Sequence, residues 1–179
     1  MTEGDYMILG GFDIASYHTG YFFLDTDNIK YKIGILEMNG SQVDRVRQLH
    51  LQSKEILQAY APDILIIEDT YYDEYRKHTN GTKKRGNINT LKILEKCHGA
   101  IISNTDEFTD IFYMRPSEHK QILTGLGSAQ KKATIWAIQK KLGLSNLTDD
   151  EADAAALVFA YLTRKQQWDI LEKINEKFT

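Results

Sequence analysis

Four acids in this chain have the types and positions for metal chemistry. Asp13 closes the apolar run of residues 7–14, and Glu68 closes a second one, residues 63–68. Asp150 and Asp153 stand three residues apart at the head of a helix-forming stretch. At about 100° per residue, that pair lies roughly 60° apart on one helical face. If the two strands are neighbours and the helix crosses them, all four carboxylates converge. Converging carboxylates repel unless a cation sits between them, and oxygen ligands suit hard divalent ions such as Mg²⁺. Two such ions about 4 Å apart stabilise the attacking and leaving oxygens of a phosphoryl transfer. The chemistry expected of this set is metal-dependent phosphodiester hydrolysis.

Each acid also has a bland reading. A strand-end carboxylate often only faces solvent. Thr148 and Glu151 fit a capping box, which with the helix dipole accounts for Asp149 and Asp150. Asp153 resists that explanation. It precedes Ala154-Ala155-Ala156-Leu157, a small apolar face that should pack close to a sheet, and a charge beside such a face needs a partner.

The elements that must position these acids follow from periodicity. Residues 7–14, 20–26 and 30–38 read as strands joined by short connections, hence an antiparallel meander. Residues 41–60 read as an amphipathic helix, with Ser41 as N-cap and Pro62 closing it. Residues 63–68 read as a strand buried on both faces, and the helix before it implies a right-handed crossover to a parallel neighbour. Residues 71–87 lack periodicity and read as an exposed loop. A helix is expected over 88–98, a strand over 99–104 and helices over 116–124 and 129–142. The stretch 149–178 is expected to be helical, with a break near 165. The class is α/β: a mixed five-stranded sheet covered by helices.

Composition sets outer bounds. With 179 residues, 42% hydrophobic and 26% charged, the chain can bury an ordinary core. One cysteine, Cys97, excludes an intramolecular disulfide and fits a reducing compartment. The start is acidic and unlike a signal peptide, and no apolar run approaches the roughly 20 residues of a membrane span. A net charge of −3 argues against binding nucleic acid by bulk charge, but not against a local basic patch. The expected location is the cytoplasm of a bacterial or phage-infected cell.

The motifs resemble those of the RuvC-type Holliday-junction resolvases, within the ribonuclease H-like nucleases. Ile8-Leu9-Gly10-Gly11-Phe12-Asp13, with Thr19-Gly20-Tyr21 following, looks like the family's opening motif. Glu68-Asp69-Thr70-Tyr71 resembles the second, and Asp150-Glu151-Ala152-Asp153-Ala154-Ala155 the closing one. The specific signal is residues 116–131, which are similar to the family's lysine-containing segment. The likeness runs from about residue 7 to 162. Ile14-Ala15 replaces the family's usual Pro-Gly, and the helical extension from about 163 has no evident counterpart. A divergent, phage-type member fits these departures.

The resemblance implies one ribonuclease H-like nuclease domain over 1–179. It implies a homodimer that nicks a four-way junction symmetrically, leaving 5′-phosphate and 3′-hydroxyl ends, with residues 88–98 in the dimer surface. Asp13, Glu68, Asp150 and Asp153 would hold two Mg²⁺ ions, or Mn²⁺ in their place, and Lys120 would join them in catalysis. Lys120 and Lys131 fall on the family's lysine positions and would bind phosphate; Tyr71 would stack on a base at the junction centre. His119, beside Lys120, is expected at the surface.

Arg76, Lys77, Lys83, Lys84 and Arg85, followed by Lys92 and Lys96, face a single acid, Glu95, over this stretch. They are the candidate DNA-binding patch. Competing readings keep the acids and change the substrate: flaps, other branched DNA or RNA–DNA hybrids. Others are a non-cleaving junction-binding module, or half of a sugar-kinase-type ATPase. No phosphate loop supports the last, and no nucleotide cofactor or membrane is expected.

Overall fold

The computed structural model describes residues 6–70, 75–77, 83–85 and 88–178, the two short segments by their backbone alone. The first three strands are β1 (Ile8–Asp13), β2 (His18–Asp25) and β3 (Lys30–Glu37), paired antiparallel as the short connections require. Helix α1 (Gln42–Tyr60) starts at a Ser41 capping box closed by Asp44 and ends at Ala61, before Pro62. It carries the chain back to β4 (Ile64–Glu68), parallel to β1. The other elements are β5 (Tyr75–Lys77), β6 (Lys83–Arg85), α2 (Ile88–Ile102), β7 (Asp110–Met114), α3 (Pro116–Thr124), α4 (Lys131–Leu142), α5 (Asp149–Arg164) and α6 (Trp168–Phe178). The main sheet runs β3-β2-β1-β4-β7, so the mixed five-stranded α/β expectation holds.

Strand alternation divides the core into two layers. Leu9, Phe22, Leu24 and Ile66 face the α5 side, and Phe12, Phe23, Leu65 and Ile67 face α1 and α2. Helix α5 is buried from Ala152 to Leu162 on every side, because the sheet, α4 and α6 surround it. Its alanines allow close approach: a Cβ on Gly11 would collide with the Ala154 carbonyl. Leu171 and Ile174 bury α6 in the same layer, so the extension after residue 163 is packed onto the core.

Two expectations fail. Residues 99–104 do not form a strand; α2 runs through them to Ile102. Ile93, Cys97 and Ile101, four apart, are all buried on one helical face, and that longer period overrides the short apolar run. The fifth strand is instead β7, paired parallel to β4 at the sheet edge. Within the segment 71–87, read as a loop, the described residues 75–77 and 83–85 pair instead as a two-stranded antiparallel ladder, β5 with β6; the rest of it lies outside the described residues.

Candidate active site

Parallel pairing of β1 with β4 sets Phe12 beside Ile67, so Asp13 and Glu68 leave adjacent strands at the same end. The other two acids come from the start of α5, Asp150 in its first turn and Asp153 one turn further on. The Thr148 hydroxyl accepts from the Glu151 backbone N–H, and the Glu151 carboxylate accepts from the Thr148 backbone N–H, which pins the helix start. Because α5 packs across β1 and β2, that turn lies over the strand ends.

The electrostatics report the convergence. Burial pushes the Asp13 carboxyl well above the ordinary aspartate range, and Glu68, Asp153 and Asp150 push it further; Lys120 partly opposes them. Asp153 is 9% exposed and is also raised, first by burial, with Lys120 and His119 opposing and Glu68 adding. Asp150 is raised by burial against Lys131 and His18. Protein groups alone therefore leave excess negative charge here. Even so, among the described residues no three His, Cys, Asp or Glu side chains already close on one point as a ligand cage. The acids share a field without yet sharing a centre.

Helix α3 supplies the groups that face these acids. Pro116 at its first position sets the helix start. Lys120 Nζ stands 3.8 Å from Asp153 Oδ2. His119 is fully buried, and its Nε2 lies 3.0 Å from Glu68 Oε2. The expectation of a surface histidine is thus wrong. Its signal was present: Ile122 and Leu123, three and four residues on, are half-buried on the core side, so a helical wheel turns His119 inward. Lys131 is exposed and engaged locally, donating to Asp149 Oδ2 at 2.6 Å.

A cleft of about 520 Å³ opens beside Glu68, lined by Ile14, Asp69, Thr70, Leu94 and Arg115. It lies at the carboxyl ends of β4 and β7, where ligands of α/β sheets commonly bind. Tyr71 lies outside the described residues. Arg76, Lys77, Lys83, Lys84 and Arg85 are placed by backbone only, on the β5–β6 ladder. The register sets Arg76 opposite Lys84 and Lys77 opposite Lys83.

Residues 9–161 match the family model described as crossover junction endodeoxyribonuclease RuvC. The chain is 29% identical over 165 residues to the protein of that name from Brachyspira hyodysenteriae, spanning 89% of this chain and 96% of the relative. It is 26% identical over 168 residues to the one from Dictyoglomus thermophilum, spanning 89% and 99%. Among solved structures, the fold is similar to T. thermophilus RuvC in complex with Holliday junction substrate, at a TM-score of 0.71 and 18% identity, covering 90% of this chain and 96% of that one. It is also similar to the yeast mitochondrial Holliday junction resolvase Ydc2, at 0.56 and 10% identity, covering 96% and 86%.

Proposed function

The chain belongs to the crossover junction endodeoxyribonuclease RuvC family, and from that premise we propose that it resolves four-way DNA junctions by paired, symmetric, metal-dependent nicks. The observation that carries this is the shared field of Asp13, Glu68, Asp150 and Asp153 at the ends of β1, β4 and α5. The donor set is all oxygen and carries uncompensated charge, which fits hard divalent cations, Mg²⁺ or Mn²⁺, two per site. Bound there, such ions supply an activated water and neutralise charge on the scissile phosphate.

The chain's own groups do the rest. Asp13 and Glu68 at the strand ends and Asp150 and Asp153 of α5 would hold the cations. Lys120 already stands against Asp153 and offers an ammonium to a phosphate oxygen drawn into the site. Lys131, at the head of α4, binds backbone phosphate by exchanging its exposed Asp149 partner. Arg76, Lys77, Lys83, Lys84 and Arg85 share the two-stranded β5–β6 ribbon, and so dense a run of positive residues suits an anionic partner such as DNA. Tyr71, three residues beyond Glu68, stacks on a junction base. Hydrolysis leaves 5′-phosphate and 3′-hydroxyl ends.

Paired nicking needs two sites, so the active form is a homodimer matched to a nearly two-fold substrate. Residues 88–98 of α2, which begin with the exposed Ile88, are the surface we assign to that contact. We place the protein in the cytoplasm of a bacterial or phage-infected cell. Among the described residues no helix is long and apolar enough to cross a membrane.

The test is incubation with a labelled four-way junction, linear duplex, flap and RNA–DNA hybrid, with and without Mg²⁺. Symmetric, ligatable nicks confined to the junction are expected. Equal cutting of flaps or hybrids would mean a broader nuclease, and tight binding without cutting a junction-binding module.

A further inference from the structure

We propose that His119 is a positioning residue, which fixes the carboxylate of Glu68 as one prospective cation ligand before metal arrives. The proposal rests on the metal-site reading above. Its basis is the ring's surroundings. His119 is fully buried, its Nε2 lies 3.0 Å from Glu68 Oε2, and its Nδ1 has no hydrogen-bond partner among the described residues.

Those facts select a tautomer. A hydrogen on Nδ1 would bury an unpaired donor and set the Nε2 lone pair against a carboxylate oxygen. A hydrogen on Nε2 aims the donor at Glu68 and leaves only an acceptor lone pair unmatched. His119 therefore donates to Glu68 through Nε2, and no change in the ring's charge is needed. Among the described residues this is the one hydrogen bond of the Glu68 side chain, and it holds Oε2.

The rigidity behind the contact comes from α3. Its next residue, Lys120, stands against Asp153, so two consecutive side chains brace acids from two different elements, β4 and α5. Arg164 of α5 also bonds Glu118, which ties the same helix to α5 one residue earlier. Groups that orient a metal-binding carboxylate in this way commonly change metal affinity about 10–100-fold when removed.

The test compares His119→Leu, which keeps apolar volume without a donor, with His119→Gln, which keeps an N–H donor at similar reach. Mn²⁺ affinity of the whole protein is measured without DNA by paramagnetic resonance of the free ion, alongside metal-free melting. His119→Leu should bind Mn²⁺ about 10–100-fold more weakly, and His119→Gln should recover most of the loss. Unchanged Mn²⁺ affinity in His119→Leu, or His119→Gln as weak as His119→Leu, would overturn the proposal. If the wild type binds no Mn²⁺, the metal-site reading falls, and this one with it. Should His119→Leu fail to fold, ¹⁵N resonances of the wild-type ring decide. A protonated Nε2 whose signal moves on adding Mg²⁺ is expected; a protonated Nδ1, or a signal indifferent to Mg²⁺, would overturn it.

Discussion

The Cα of Gly20 lies so close to the backbone of Asp150 that a Cβ at Gly20 would overlap the Asp150 carbonyl. Gly20 is also the register partner of Asp13. One missing side chain thus sets the separation between the strand-end acid and the first turn of α5. A Gly20→Ala change must push that turn off the sheet, since neither backbone can yield locally. Cleavage should fall at least about tenfold, and overpacking should cost on the order of 1–3 kcal/mol. Single-turnover cleavage and calorimetric melting measure both; a variant that cuts and melts like the wild type would refute the spacing role.

Asp13→Asn separates function from fold. It removes one carboxylate from a buried, mutually repelling set, so the metal-free protein should gain stability, on the order of 1–2 kcal/mol at neutral pH. Cleavage should vanish while junction binding survives. Normal cutting, or a fall in melting temperature, would contradict the assignment.

The raised carboxyls set the sign of a pH dependence. Asp13, Asp150 and Asp153 all bind protons more tightly folded than the ordinary aspartate value of 3.8. Between that value and their raised ones the folded chain holds more protons than the unfolded chain, so stability falls as pH rises. Their contribution is fully present below about 3.8 and is lost through the raised values. Asp25 and Asp44, lowered by local hydrogen bonds, run the opposite way. The difference between wild type and Asp13→Asn therefore isolates the Asp13 part. Metal-free melting temperatures should draw together as pH falls toward about 4, and a constant gap would count against the shift.

Lys120 faces Asp153 across 3.8 Å in a half-buried setting. Lys120→Ala should slow single-turnover cleavage about 10- to 100-fold while changing junction affinity much less, because it loses one cation aimed at the reacting phosphate. Equal losses in rate and affinity would make it a general DNA contact instead.

The ladder cations should show in salt dependence. Changing Lys83, Lys84 and Arg85 together to Gln should weaken junction binding and lower the slope of log affinity against log salt by about 0.9 for each phosphate that is no longer neutralised. An unchanged slope would place the patch away from DNA.

Local chemistry in the chain was enough for the strand-end acids, the three-strand meander, the parallel β4, the Ser41 N-cap and the Thr148–Glu151 capping box. Each depends on neighbours in sequence: alternation for strands, a hydroxyl three residues before its partner for caps. It also located Asp153, since a charge among alanines signals a demand from outside its own helix. The end of α2 and the place of the fifth strand were decided elsewhere. Residues 99–104 and 110–114 both suit a strand locally, and only packing of Ile101 beneath the sheet and pairing of β7 with β4 distinguish them. His119 and Lys131 show the same division. Their types said that they could meet phosphate or solvent. Tertiary contacts turned one into the core against Glu68 and engaged the other with Asp149, because the partners lie 51 and 18 residues away. Periodicity reports which face of an element is buried; it does not report which charge waits on the other side.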